Sequence, residues 1–252
     1  MAAAWQVLAR RDARLGAVIR LVGPCPLEAS GRPPYEALLS AIAHQQLHGA
    51  AARAILARLC ALEGRGRYPT AAELIATPDD DLRGAGLSRS KILAMRDVAC
   101  RSLDGTVPDL ATMRAMDDEA IIERLVAVRG VGRWTAQMLL ISTLGRPDVL
   151  PVDDFGVRLG YQWMTGLAAM PTPRLLHGLC EGYAPYRTTV ALYLWRYVDL
   201  RRANAAAESP AAVASRTPKR PAAPEAPPVR QRARPVPALA ARGVARRKRA
   251  TR

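Results

Sequence analysis

The sequence predicts an all-α fold. Strand signals are sparse, and apolar residues recur at the three- and four-residue spacing of helices through most of the first 204 residues. Ala, Leu and Arg, which favour helices, are abundant in the same part of the chain. Half of the 252 residues are apolar, which is enough to form a sizeable core. We therefore expect a helical domain over 1–204, followed by a tail over 205–252.

Periodicity and end signals place the helices along the chain. The longest predicted helix covers 35–62, between a pair of prolines and a glycine-rich stretch. Thr70 and Asp117 stand where N-caps are expected, and Thr70 with Glu73 completes a capping box. The other predicted helices cover 3–22, 71–75, 79–85, 90–103, 110–115, 117–126, 134–144, 155–163 and 186–202.

The net charge of +15 is concentrated in the tail. Of the 37 Lys and Arg residues 12 lie in 205–252, with 2 of the 22 acidic residues, so the tail carries +10. It is rich in Pro, Ala and Arg and has no aromatic residue, a composition typical of disordered chain. Two interpretations remain open: a non-specific nucleic-acid tether that acts through counterion release, or a solubilising extension without a required role.

The sequence also indicates in which cellular compartment the protein is expected. No run of about 18 apolar residues is present to span a membrane. The first residues lack the basic stretch and apolar core of a signal peptide. The four cysteines are scattered, with no C-x-x-C pair, so neither a zinc site nor a disulfide framework is expected. We expect a cytoplasmic protein without membrane contact, associated with the nucleoid if the source is bacterial.

The most informative motif is a Gly-x-Gly hairpin between two apolar helical segments. It reads Gly130-Val131-Gly132, and a loop with two aspartates, Asp153 and Asp154, follows the second helix. Glycines permit a tight turn and a close approach of the backbone to another surface. The N–H groups at the start of the second helix suit a phosphate. A phosphate-binding hairpin with a carboxylate downstream indicates an enzyme that acts on a nucleic acid.

The hairpin and loop resemble those of the helix-hairpin-helix DNA glycosylase superfamily, and most of all its alkylpurine branch, the DNA-3-methyladenine glycosylase II family. The matching residues are Leu125, Gly130, Val131, Gly132, Thr135 and Ala136, then 151–154. Bifunctional relatives have a Schiff-base lysine where this chain has Trp134, and the iron–sulfur members have clustered C-terminal cysteines that are missing here. The resemblance covers about 30–200. It implies two helical subdomains flanking a cleft, one carrying the hairpin over 125–136 and Asp154 and the other carrying a wedge that enters the DNA.

The resemblance also implies an activity. A member of this branch would be a monofunctional glycosylase that flips alkylated purines out of double-stranded DNA and hydrolyses them, leaving an abasic site. The expected lesion is 3-methyladenine, with 7-methylguanine as a further candidate. No cofactor and no metal are implied, and the protein would act as a monomer on DNA that contains alkylated bases. Two alternatives remain: a glycosylase of the same fold for other lesions, and a non-catalytic helix-hairpin-helix DNA-binding protein.

Asp154 is the candidate catalytic residue. An aspartate directly before a helix is often only an N-cap, and the residues alone leave that interpretation open. In the resembled family the essential aspartate lies at this junction and aligns with Asp154, while Asp153 remains the alternative. Breaking the N-glycosidic bond develops positive charge on the sugar, which a carboxylate can stabilise while it accepts a proton from water.

Two aromatic residues are predicted to form the base pocket, Trp134 and Tyr186. Core packing is the other interpretation of Trp134. Its indole face would suit an electron-poor alkylated purine, through a cation–π contribution of about 1 kcal/mol or more when desolvated. Tyr186 matches a position where the family carries a second pocket aromatic. Four further aromatics are expected in the core: Trp163, Tyr183, Tyr193 and Trp195.

A polar interruption at 44–49 breaks the apolar pattern of the longest predicted helix. One interpretation is an exposed turn between two helices. The resemblance implies instead that the turn supplies the wedge that fills the gap left by a flipped nucleotide. Gln46 aligns best with the wedge, and Leu47 is the alternative.

Contacts to the DNA backbone are predicted at the hairpin and at a second turn into a helix, 82–91, for which an ordinary helix connection is the alternative. The predicted contact residues are Gly130, Val131, Gly132, Arg133, Thr135, Ser88 and Lys91.

Overall fold

The computed structural model describes residues 3–208, and this part of the chain contains thirteen α-helices and no strand. The all-α prediction is confirmed. The helices are α1 Ala4–Arg11, α2 Ala13–Val22, α3 Pro34–His44, α4 Gly49–Ala61, α5 Ala71–Ala76, α6 Asp79–Gly84, α7 Arg89–Leu103, α8 Leu110–Ala115, α9 Asp118–Val126, α10 Arg133–Leu139, α11 Phe155–Thr165, α12 Pro173–Leu179 and α13 Arg187–Ala207. A π-helical turn, Leu140–Leu144, extends α10, and two 3-10 turns occur at Leu62–Gly64 and Glu181–Tyr183.

Two of the predicted long helices are each broken in two. Asp12 separates α1 from α2: its backbone is extended, and its Oδ1 accepts hydrogen bonds from the N–H groups of Arg14 (2.8 Å) and Leu15 (3.2 Å). The polar turn after His44 separates α3 from α4, and Gln46 there has a φ of +56°. In both cases a polar side chain caps the second helix: Asp12 caps α2, and Nδ1 of His48 accepts from the N–H of Ala50 at the start of α4.

The capping predictions differ in outcome. The capping box is present: Thr70 accepts from the N–H of Glu73, whose carboxylate accepts from the N–H of Thr70. Asp117 stands at the N-cap of α9, but its side chain makes no capping hydrogen bond. Helix α12 was not predicted, although its Thr-Pro start is a regular signal: Thr172 caps it and Pro173 is its first residue.

The C-terminal boundary lies slightly later than predicted. Helix α13 continues to Ala207, so the first three residues assigned to the tail are helical. The predicted disordered tail otherwise lies outside the described residues. No helix in the described part of the chain is long and apolar enough to cross a bilayer.

The buried side chains form two clusters, but these divide the chain differently from the expected subdomains: α3 and α4, which flank the predicted wedge, lie in the same cluster as the hairpin, and Asp154 precedes a helix of the other cluster. One cluster is built by α3–α10 and reaches from Leu38 to Val149. The other is built by α1 and α2 together with α11–α13, so the first helices of the chain pack against the last. Trp195 on α13 contacts both clusters.

The partly buried carboxylate of Asp12, between α1, α2 and the turn before α13, connects the two ends of the second cluster. The hydroxyl of Tyr183 donates to Asp12 Oδ2 over 2.6 Å, while Arg11 donates to the carbonyl of Ala184 over 2.8 Å. Burial opposes the ionised form of Asp12, but the hydrogen bonds from Tyr183 and from two backbone N–H groups outweigh it and lower the pKa of Asp12.

We expect Tyr183→Phe to lower the free energy of unfolding by about 1.5–3 kcal/mol, because it removes a hydrogen bond to an ionised group at a partly buried site. Urea denaturation at neutral pH measures the loss. The contribution of Asp12 is present above its unfolded pKa of about 3.9 and is lost as the pH falls through its lower folded value. The difference between the two proteins should therefore shrink in acid.

Tyr35→Phe is the matched control. The hydroxyl of Tyr35 is buried without a hydrogen-bond partner in the described part of the chain, so its removal should leave stability unchanged or improved. Equal destabilisation by both substitutions would contradict the assigned role of the bond to Asp12.

Candidate active site

Asp154 caps helix α11. Its Oδ1 accepts a hydrogen bond from the N–H of Val157 over 2.8 Å, three residues into the helix. The capping interpretation left open by the sequence is therefore correct as a description of the contact. It does not exclude a chemical role, because an N-cap carboxylate also has a second oxygen with lone pairs of its own.

Both oxygens of Asp154 also accept from tryptophan. The indole N–H of Trp134 donates to Oδ2 over 2.8 Å, and that of Trp195 donates to Oδ1 over 2.7 Å. Three N–H donors thus fix the carboxylate, and the side chain remains partly accessible. The group is therefore oriented and reachable from solvent.

Trp195 was predicted to be a core residue, and that assignment missed its contact with Asp154. The indole packs against both clusters, but its N–H faces the carboxylate. The residue lies 41 positions after Asp154, so no local motif joins the two. A signal was present nonetheless in Gly156 and Gly160, four residues apart on α11, since small residues at this spacing permit close helix approach.

Gly156 makes room for the second indole. A Cβ at this position would lie 2.8 Å from Cδ1 of Trp195 and 3.1 Å from Oδ1 of Asp154. Gly160 has the same effect one turn later, where a Cβ would lie 2.7 Å from the carbonyl oxygen of Leu194. These two glycines let α13 approach α11 closely enough for Trp195 to reach the carboxylate.

The other indole borders an open recess. Trp134 is 47% exposed, so it is not a core side chain. It lines a recess of about 530 Å³ between α3 and α10, and the remaining lining residues are Ala41, His44, Gln45, Gln46, Thr135 and Met138. His44 donates from Nδ1 to the carbonyl of Ser40 over 2.8 Å. The recess is mainly apolar with polar groups at one side, as in sites for flat aromatic ligands.

Tyr186 is not among the residues that line this recess. Its ring packs against the second cluster, near Trp5 and Pro147, and the Arg11 guanidinium lies 5.7 Å from the ring centroid. The turn before α13 folds back on α1, where the Arg11 side chain contacts it. The role of Tyr186 in the base pocket stays a prediction.

The hairpin has the expected backbone. Gly130 has a φ of +76°, and a Cβ there would lie 3.2 Å from the Cβ of Ala94, so a side chain is unfavourable on both grounds. Val131 is buried in the first cluster, and Gly132 is the N-cap of α10. The N–H groups of the first turn of α10 have no intrahelical partner and are available to an anion. Thr135 is buried beside Trp134.

Two of the cationic side chains predicted to contact phosphate are engaged within the protein. The guanidinium of Arg133 makes paired bonds of 2.6 and 2.8 Å to the carboxylate of Glu119, which raise the pKa of Arg133. Lys91 donates from Nζ to the carbonyl of Ala43 over 2.7 Å. Ser88 is the N-cap of α7 and accepts from the N–H of Lys91. The role of these residues toward DNA stays a prediction.

The turn between α3 and α4 projects both wedge candidates. Gln46 is exposed, and Leu47 is 40% exposed. Gln45 turns inward instead and donates from Nε2 to the carbonyl of Gly130 over 2.8 Å. The turn is therefore attached to the hairpin, and its tip is exposed to solvent.

Comparison with known proteins identifies the fold family. Residues 39–185 match the HhH-GPD superfamily of base excision DNA repair proteins. The chain belongs to this superfamily.

Individual members of the HhH-GPD superfamily are similar over most of the helical region. DNA-3-methyladenine glycosylase 1 of Schizosaccharomyces pombe is 38% identical over 165 residues, which is 66% of this chain and 72% of the relative. The structure of the S. pombe 3-methyladenine DNA glycosylase with abasic DNA matches with a TM-score of 0.69 and 35% identity, over 77% of this chain and 95% of that one. A DNA-3-methyladenine glycosidase of Bacillus halodurans matches with a TM-score of 0.72 and 32% identity, over 80% and 92%.

In this HhH-GPD protein we expect Gly156→Ala to displace the Trp195 indole from Asp154. The added Cβ would lie inside contact distance of both side chains, and overpacking of this kind costs about 1–3 kcal/mol. The indole N–H resonance of Trp195 in a ¹H–¹⁵N spectrum should move, because its hydrogen bond is lost or lengthened.

Gly178→Ala is the control for helix propensity. It also lies in a helix, but a Cβ there would meet nothing within 4 Å, so stability should be unchanged or slightly raised. If Gly156→Ala behaved like this control and left the Trp195 signal in place, the close-packing argument would be wrong.

Proposed function

We propose that this chain is a monofunctional DNA glycosylase that flips alkylated purines, 3-methyladenine and also 7-methylguanine, out of double-stranded DNA and hydrolyses their N-glycosidic bond. The product is an abasic site, as in base excision repair. Support comes from membership of the HhH-GPD superfamily and from similar proteins that are named DNA-3-methyladenine glycosylases. The protein would act as a cytoplasmic monomer.

The observation that carries this proposal is the carboxylate of Asp154, fixed by two indoles beside an open recess. As the base leaves, the deoxyribose develops oxocarbenium character. A preorganised anion stabilises that charge without having to reorient, and it can accept a proton from the attacking water. The hydrogen bonds from Trp134 and Trp195 supply the preorganisation.

A single carboxylate suffices for an alkylated purine. An N3- or N7-alkylated base is already cationic while attached to the sugar, so it departs without a strong general acid. Paired carboxylates, as in polysaccharide hydrolysis, are not required. An amine nucleophile is also unnecessary, and Trp134 occupies the position that carries the Schiff-base lysine in bifunctional relatives. These features together favour simple hydrolysis over a lyase reaction.

The exposed face of Trp134 is the proposed platform for the flipped base. An electron-poor purine stacks favourably on an electron-rich indole, and the recess next to it is large enough for a purine ring. The same indole holds Asp154 through its N–H, so the base would stack directly beside the carboxylate that acts on its sugar. The wedge at Gln46 or Leu47 would fill the gap left in the duplex.

The first test is the release of free methylated bases from alkylated duplex DNA. Asp154→Asn should lower the rate about 100-fold or more, because it removes the charge that stabilises the transition state. The protein should remain folded, because the asparagine oxygen can still cap α11. The NH₂ of the asparagine would then face an indole donor. Circular dichroism and duplex binding establish that the protein is folded.

Asp153→Asn is the matched control. Asp153 is exposed and makes none of the three hydrogen bonds of its neighbour, so its substitution should leave base release nearly unchanged. Loss of release with Asp153→Asn but not with Asp154→Asn would exchange their roles. If neither the wild type nor the variants release bases while duplex binding is retained, the result would favour a glycosylase for another lesion or a non-catalytic DNA-binding protein.

Trp134→Ala should weaken binding to duplexes with a cationic lesion analogue more than binding to undamaged duplex. The expected difference is about fivefold or more, from a lost cation–π contact of about 1 kcal/mol. Trp134→Phe keeps an aromatic face but has no N–H for Asp154, so it should retain part of the lesion affinity while base release falls. Equal losses of lesion and undamaged binding would indicate that Trp134 only supports the fold.

A further inference from the structure

The wedge turn, residues 45–48, starts where the carbonyl groups at the end of α3 have to be satisfied. Two of them accept from backbone N–H groups in the turn itself: Ile42 from Gln45 over 3.3 Å, and His44 from Leu47 over 3.2 Å. The carbonyl between them, that of Ala43, accepts instead from the ammonium of Lys91 over 2.7 Å. Lys91 lies on α7, 48 residues away, so this bond attaches the turn to a different helix.

The environment of Lys91 is that of an internal partner. A cation is favoured near the negative end of a helix dipole, and the Lys91 ammonium lies at the C-terminal end of α3. Partial burial lowers the pKa of Lys91, in keeping with an ammonium that is withdrawn from solvent. Arg89, two residues earlier on the same helix, is exposed and offers a freely accessible charge for comparison.

Gln45 holds the other side of the turn. Its Nε2 donates to the carbonyl of Gly130 over 2.8 Å, which joins the turn to the hairpin. The turn therefore has one attachment to α7 and one to the hairpin. Gln46 follows Gln45 directly, and its positive φ is unfavourable for a residue with a Cβ. Such a conformation persists only where the surroundings impose it.

We infer that Lys91 and Gln45 are positioning residues that hold the wedge turn in its projecting conformation before DNA binds. The inference rests on the proposed function, since it assigns these residues to base extrusion. It also changes the expected role of Lys91, which the sequence suggested as a phosphate contact.

The experiment uses full-length protein and a duplex in which 2-aminopurine lies opposite a tetrahydrofuran abasic analogue. The fluorescence of the 2-aminopurine reports insertion of the wedge. Lys91→Met should lower the insertion signal at saturating protein about fivefold, because the turn relaxes when a strained residue loses its support. Duplex affinity should keep its salt dependence. Loss of a phosphate contact would instead reduce the slope of log K against log salt by about 0.9.

Three further variants decide the interpretation. Arg89→Met removes the same charge from the same helix and should leave the insertion signal at saturation intact. Lys91→Arg retains a donor and should restore much of the signal. Gln45→Met keeps the size of the side chain and loses only its amide, so it should reduce insertion as Lys91→Met does. The loss of insertion signal in the double variant should be smaller than the sum of the two single losses.

The outcomes separate the inference from the proposed function. Absence of any insertion signal for the wild-type protein would count against the proposed function itself. Normal insertion with Lys91→Met, or a reduced salt slope, would overturn the positioning role while leaving the glycosylase assignment in place. If Lys91→Met does not fold, Gln45→Met, which alters a side chain at the protein surface, decides the question alone.

Discussion

The carboxylate of Asp154 is the point on which the two clusters converge. It accepts from the first turn of α11, from Trp134 on the hairpin helix and from Trp195 on the last helix. These elements belong to different parts of the chain, and Trp134 follows the hairpin that the first cluster supports. One carboxylate thus fixes the end of a helix, the orientation of two indoles and one wall of the recess. Capping and catalysis are compatible here because they use the same geometry.

Close packing behind the carboxylate makes this convergence possible. Helices α11 and α13 touch where Gly156 and Gly160 replace side chains, and the indole of Trp195 fills the space thus left. A larger residue at either glycine would push α13 outward and withdraw one donor from Asp154. The site therefore depends on packing between helices that are distant in sequence, and not only on the loop that carries the aspartate.

The sequence predicted most of what local chemistry determines. Helix periodicity, the Thr70 capping box and the hairpin glycines follow from short-range rules and are present in the structure. The break at Asp12 was missed because the apolar pattern continues across it, and only the side chain shows that a new helix begins there. The contact of Trp195 with Asp154 was missed for a different reason. Which aromatic faces the carboxylate depends on the packing of α13, which periodicity does not encode.

The exposed face of Trp134 shows how stability and the proposed chemistry are balanced. A ring that is 47% exposed forgoes apolar burial that a core position would have provided, at about 25 cal/mol per Å². Its N–H bond to Asp154 fixes the edge of the ring. The exposed part of the ring stays accessible to a ligand. The same bond therefore orients the carboxylate and keeps the platform open, so the two features cannot be changed independently.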